Sequence, residues 1–188
     1  MTRKPRRPNI RSLQPVQLPP IPNIIAIDPG HTTGVASYSC QPRIGTISLA
    51  QFRGTDHQTI VSLLDWLEEG DPDTIVYEQY VARPSRHGLV GAEAQKALSP
   101  VFVHGIVLGG LLMIRYSLQM PTFVPQQASE MASFPDKRLK AMFPHLFALT
   151  LGPAKPHARD ALRHLLVYLK RHHFAHYQAL KTPNKPAN

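Results

Sequence analysis

Ile24, Ile25, Ala26 and Ile27 form an unbroken apolar, largely β-branched run that stops at Asp28-Pro29-Gly30. That is the pattern of a buried strand ending in a turn. Thr33 to Ser39 and Ile44 to Phe52 read as a second and a third strand, and their short connections favour an antiparallel meander. Ile60, Leu63, Leu64 and Leu67 recur at helical spacing, with Gly70 and Pro72 closing the helix. Thr74 to Tyr77 is another compact strand, and it ends at Glu78. A long helical region follows from Gly91 to Ser117, interrupted at Pro100. Thr122 to Val124 makes a last short strand, and helical segments cover Gln127 to Met131 and Lys137 to Met142. A final helix starts near Pro156 and carries Ala161, Leu162, Leu165, Leu166 and Leu169 on its apolar face. The order β-β-β-α-β-α-β-α predicts an α/β fold with a mixed sheet flanked by helices.

The two ends break this pattern. Residues 1–22 are rich in Arg, Lys and Pro, and few large apolar groups are present to offset the entropy of ordering them. They read as a mobile basic arm, either a phosphate-binding tether or a solubilising segment. Residues 177–188, with Lys181, Pro183, Lys185 and Pro186, read as a flexible tail. One domain over 23–176 is then expected, which suits a chain of 188 residues. No apolar run approaches the roughly 18 residues of a membrane span. Arg3, Lys4, Arg6 and Arg7 are followed by prolines rather than by the apolar core of a secretory signal. A single cysteine, Cys40, excludes an internal disulfide framework and a cysteine-based zinc site, and fits a reducing cytoplasm.

Charge narrows the partner. A formal net charge of +9 points to a polyanion, with nucleic acid the commonest choice. It also makes the 12 acidic residues informative, because several stand at motif positions. Asp28 follows a buried strand directly, where a rigid element holds it towards a cleft. Gly34 lets the returning strand pass close by. Glu78 repeats the geometry at the end of a strand able to lie beside the first. Two carboxylates on adjacent strand ends repel unless a cation sits between them. Oxygen ligands of this kind suit magnesium or manganese. His157 and Asp160, spaced i, i+3, share one face of the last helix near its N-terminus. Taken singly, each feature has a plain structural reading: a turn, a strand end, a helix cap. The strand, strand, helix distribution of three acidic positions is harder to dismiss. Lys155 and Arg159 flank the last pair, and Arg83, Arg86 and His87 follow Glu78 in a loop. All are candidates for gripping a phosphate backbone. Lys137, Arg138 and Lys140 form a second candidate patch.

Three segments, Ile25-Ala-Ile-Asp-Pro-Gly-His-Thr-Thr-Gly34, Ile75-Val-Tyr-Glu-Gln-Tyr-Val81 and His157-Ala-Arg-Asp-Ala-Leu162, resemble the RuvC-like Holliday junction resolvases of the ribonuclease H-like superfamily, most of all the divergent phage-borne and bacterial members. In element order the likeness covers residues 23–172. It implies a ribonuclease H-like mixed five-stranded sheet flanked by helices. It further implies catalytic, metal-binding roles for Asp28, Glu78, His157 and Asp160, with two Mg2+ or Mn2+ ions roughly 3.5–4 Å apart. The implied activity is paired symmetric nicking of a four-way DNA junction by a homodimer. His157 stands where the family more often has a second Asp. The family's junction-probing aromatic would fall at Val81, so Tyr80 is its nearest counterpart. The apolar stretch Gly105 to Leu112 is either a dimer surface or ordinary core.

Three other readings compete. The main rival is a ribonuclease H-like nuclease acting on RNA, flaps or replication forks. An actin-like or sugar-kinase-like ATPase would share the Asp28 to Gly34 turn but requires two such halves. A DNA-binding protein with a degenerate site would not need every acidic position kept.

Overall fold

The structure, a computed structural model, describes residues 18–41, 44–54, 57–79, 103, 105, 109–110, 120–151 and 156–181. Five strands, β1 (Ile24–Asp28), β2 (Thr32–Gln41), β3 (Ile44–Arg53), β4 (Thr74–Glu78) and β5 (Thr122–Gln126), form one sheet of order β3-β2-β1-β4-β5. The pairs β1–β2 and β2–β3 are antiparallel, whereas β1–β4 and β4–β5 are parallel. The expected mixed five-stranded sheet flanked by helices is therefore present. Pro125 in β5 is tolerated because that strand is the sheet's edge.

Pleating sorts the central strands between two cores. Ile25, Ile27, Val35 and Ile75 face α1 (His57–Glu69), which contributes Leu63 and Leu67. Ile24, Ala26, Ala36, Tyr38 and Val76 face the opposite way. There they meet Ala161, Leu162, Leu165, Leu166 and Leu169 of the long C-terminal helix (Pro156–His172), the apolar stripe expected from the sequence. Most of the 91–117 region lies outside the described residues. Where it is described, Val103 is 1% exposed within the α1-side core. A Cβ on Gly110 would stand 2.6 Å from Leu64, so this point of the stretch packs against α1 rather than presenting a free face.

Between β5 and the long helix come a 3-10 turn (Ala128–Ser133) and two short helices, α2 (Asp136–Met142) and α3 (Pro144–Leu149). The long helix is thus α4, and a further short helix, α5 (Phe174–Ala179), follows it. In the α1–β4 connection Asp71 takes the left-handed conformation (φ 38°) after Gly70.

Ordered packing reaches beyond the expected limits of 23 and 176 at both ends. Tyr177 and Leu180 are buried, with the Tyr177 ring set at an angle against those of Phe134 and Phe143. His176, 1% exposed, joins Tyr38 Oη (2.8 Å) to the Pro19 carbonyl (2.9 Å), and Ile21 packs on the same core. The tail expected from 177 is therefore helical and packed as far as Ala179. Tyr177 and Leu180 join the core cluster that holds Tyr38 and the leucines of α4. Residues 1–17 and 182–188 lie outside the described residues. No helix among the described residues is long and apolar enough to cross a membrane.

Candidate metal centre

A single row of side chains crosses the sheet on the α4 face. Gln51 on β3 is registered with Gly34 on β2, and Gly34 with Asp28 at the end of β1. One step beyond the Ile27–Tyr77 pair, Asp28 has Glu78 as its neighbour on β4, and Glu78 is registered with Gln126 on β5. Asp28 shares the phase of Ile24 and Ala26, and Glu78 that of Val76, so both carboxylates emerge on the side where α4 lies. Helix α4 runs across this row. The seven-residue step from His157 to His164 rises about 10 Å, close to the spacing of two strand intervals at about 4.8 Å each. His157 accordingly stands over β2 and β1, and His164 over β4 and β5.

The N-terminus of α4 is seated by two of these positions. A Cβ on Gly34 would lie 2.0 Å from the His157 carbonyl oxygen and 2.5 Å from the Ala158 nitrogen. Only glycine lets the helix backbone come this close. The Gly34 expected to make room for a strand thus makes room for α4. Gln51 Oε1 accepts from the backbone N–H groups of His157 (3.2 Å) and Ala158 (3.4 Å). These donors have no partner within the helix, so a strand side chain acts as the cap.

His157 Nδ1 lies 2.9 Å from Asp28 Oδ2. One ligand atom each from Asp28, His157 and Asp160 fall within 4.8 Å of one another, close enough to share a cation. Burial raises the Asp28 pKa from 3.8 to about 6; the charges of Asp160 and Glu78 add to the rise, while the His157 hydrogen bond and charge oppose it. A carboxylate so placed lacks compensating positive charge. Carboxylate oxygens with one imidazole nitrogen fit a divalent cation of the magnesium or manganese kind, manganese being the more tolerant of nitrogen.

Glu78 is close enough to be felt by Asp28 but is not a member of that cluster. Its Oε2 instead contacts His164 Nε2 at 3.3 Å. Asp160 is paired with Arg163, whose guanidinium also reaches Asp136 and the Phe134 carbonyl. Arg159, expected at a DNA phosphate, directs its guanidinium to Asp136 (2.8 Å) and to Thr150 Oγ1 and O (both 3.2 Å), with Phe147 beneath it. Three of its N–H groups are thereby committed to tying α4 to α2 and α3. Tyr80, Arg83, Arg86, His87 and Lys155 lie outside the described residues. Sequence reasoning did not find Gln51, Gln126, Arg163 or His164. The one signal for His164 is its spacing, i+7 from His157 on the same helical stripe.

No protein-family model matches the chain, and no curated protein matches it. Among solved structures it is similar to T. thermophilus RuvC in complex with a Holliday junction substrate, with 15% identity, a TM-score of 0.49 and coverage of 83% of this chain and 98% of that one. It is also similar to the fowlpox virus Holliday junction resolvase, with 10% identity, a TM-score of 0.49 and coverage of 79% and 98% respectively.

Proposed function

We propose that the chain is a divalent-metal-dependent endonuclease that resolves four-way DNA junctions by paired nicking, acting as a homodimer. The convergence of Asp28, His157 and Asp160, with Glu78 on the neighbouring strand end, is the observation that carries this reading. The solved resolvases named above are those of a RuvC bound to a Holliday junction and of a viral Holliday junction resolvase, and the sequence blocks around these same residues resemble that family. Asp28, Asp160, His157 and Glu78 would hold Mg2+ or Mn2+. Two such ions, when bound, supply an activated water and stabilise the leaving oxygen of the phosphodiester.

The chain's own residues then have separable tasks. Asp28, central in the row, would be the ligand shared between both sides of the site. Asp160 and Glu78 flank it. Asp28 fixes the His157 ring through Nδ1, which leaves Nε2 to hold a cation or to take a proton from the attacking water. Arg163 orients Asp160. The net charge of +9 supports polyanion binding, and Arg83, Arg86, His87 and Lys155 are the proposed phosphate contacts. Tyr80 is the proposed junction-probing aromatic.

The test is cleavage by the purified full chain, with Mg2+ or Mn2+, of four-way, forked, flap and linear DNA and of an RNA–DNA hybrid. Paired symmetric nicks confined to the four-way substrate, with 5′-phosphate ends, are expected. Equal cutting of linear duplex overturns the junction assignment, and preferential cutting of forks, flaps or hybrid redirects it to those substrates.

A further inference from the structure

His164 is the only histidine among the described residues at 0% exposure, yet it lies on α4 between the fully buried Leu162, Leu165 and Leu166. An apolar side chain would fill that place without leaving polar groups to satisfy. Both ring nitrogens instead meet oxygens at the C-terminal ends of adjacent parallel strands: Nδ1 meets Gln126 Oε1 at 2.8 Å and Nε2 meets Glu78 Oε2 at 3.3 Å. The amide of Gln126 is itself oriented, since its Nε2 donates to the His164 backbone carbonyl at 3.3 Å. That bond turns Oε1 towards the ring, so Nδ1–H is the donor there. The Glu78 carboxylate can only accept, so the contact on the other side is a hydrogen bond when Nε2 carries a proton as well. The ring is thus held at both nitrogens, with Nε2 against Glu78, whose side chain is 23% exposed.

We infer that His164, held by Gln126, is a positioning residue that fixes the Glu78 carboxylate in the orientation in which it accepts a divalent cation. The inference rests on the reading of Glu78 as a metal ligand. The chain Gln126–His164–Glu78 does at β4 and β5 what the Gln51 cap and the Asp28–His157 bond do at β3, β2 and β1. Each half of the row is anchored by an amide side chain and oriented by a histidine of α4. A carboxylate at a strand end with several rotamers loses freedom when it binds a cation; holding it beforehand removes that loss. Partners of this kind behind a metal ligand typically contribute roughly 10–100-fold to affinity.

The experiment titrates Mn2+ into the metal-free full-length protein by calorimetry, for wild type and for His164→Leu, Gln126→Met, Glu78→Gln and Leu166→Val, with thermal melts of each. Cleavage of a four-way junction is measured in parallel. His164→Leu and Gln126→Met are expected to weaken Mn2+ binding by roughly 10–100-fold and to lower kcat with KM for the junction unchanged. Leu166→Val loosens the same helix without touching Glu78 and is expected to keep wild-type Mn2+ affinity. Folded His164→Leu and Gln126→Met proteins with wild-type affinity overturn the inference, as does a loss in Leu166→Val matching theirs. Should His164→Leu fail to fold, Gln126→Met alone decides. If Glu78→Gln binds Mn2+ as wild type does, Glu78 is not a ligand and both the site reading at that residue and the inference fall. If Glu78→Gln is impaired while the other two are not, only the inference falls.

Discussion

Asp28→Asn separates what Asp28 does for the site from what it does to the fold. The Asp28 side chain is 13% exposed, and its pKa is raised from 3.8 to about 6, chiefly by burial. A carboxyl with a raised folded-state pKa favours folding while it is protonated. Its contribution is fully present below about 3.8, declines as the unfolded chain ionises, and is lost as pH rises through about 6. At 1.36 kcal/mol per pKa unit, the whole shift amounts to about 3 kcal/mol. The metal-free protein carries that penalty at neutral pH. Asparagine has nearly the same shape, and its carbonyl oxygen accepts the same bond from His157 Nδ1, but it never ionises. In the presence of EDTA, the Asn variant is therefore expected to be more stable than wild type by up to about 3 kcal/mol at pH 7.5. The gap should close towards pH 4. Mn2+ at 100 times its Kd should return about 2.7 kcal/mol to wild type and little to the variant, whose junction binding persists while cleavage is abolished. Urea denaturation across pH 4–8, with and without Mn2+, reads all of this. A variant less stable than wild type at pH 7.5 in EDTA, or a gap that does not change with pH, refutes the electrostatic reasoning. An active variant refutes the site.

Other outcomes follow from the seating of α4. Gly34→Ala forces a Cβ to within 2.0 Å of the His157 carbonyl. It should lower stability by at least the roughly 1–3 kcal/mol of overpacking and displace His157 from Asp28, so Tm and cleavage fall together. An unchanged melting curve contradicts it. Gln51→Leu removes the acceptor for the His157 and Ala158 N–H groups. A loss of about 0.5–2 kcal/mol is expected in chemical denaturation, with a reduced kcat. Asp136→Asn breaks ion pairs to Arg159 and Arg163, but Asp136 is 51% exposed. Its effect on stability should stay below about 1 kcal/mol, and a loss several times larger in the same assay would show that this network does more than tie surface helices.

The elements legible in the sequence are those whose own pattern is sufficient. β1 and β4 are unbroken apolar runs, and α4 carries a long apolar stripe. The helices α3 and α5, six residues each, are too short for a period to emerge, and their burial depends on partners such as Phe134 and Tyr38 that are distant in the chain. The boundary expected at residue 176 failed for that reason: Tyr177 and Leu180 owe their burial to this long-range packing.

The site divides along the same line. Asp28 and Glu78 are recognisable because each ends a buried strand, and His157 with Asp160 because i, i+3 spacing is local. Their supports are not local: Gln51 reaches His157 across 106 positions, and His164 reaches Glu78 across 86. Pleat alternation would normally tell which face a strand residue takes, but β1 is buried on both faces, with Ile24 to Ile27 apolar throughout. Nothing in that run says whether Asp28 points to α1 or to α4. The phase is set only when α4 packs against Ile24 and Ala26, and Gly34 is what allows that packing next to the carboxylate. Once α4 is in place, the register of five strands determines the rest of the row. The candidate metal ligands could therefore be named from the sequence, while the residues that contact and seat them required the sheet.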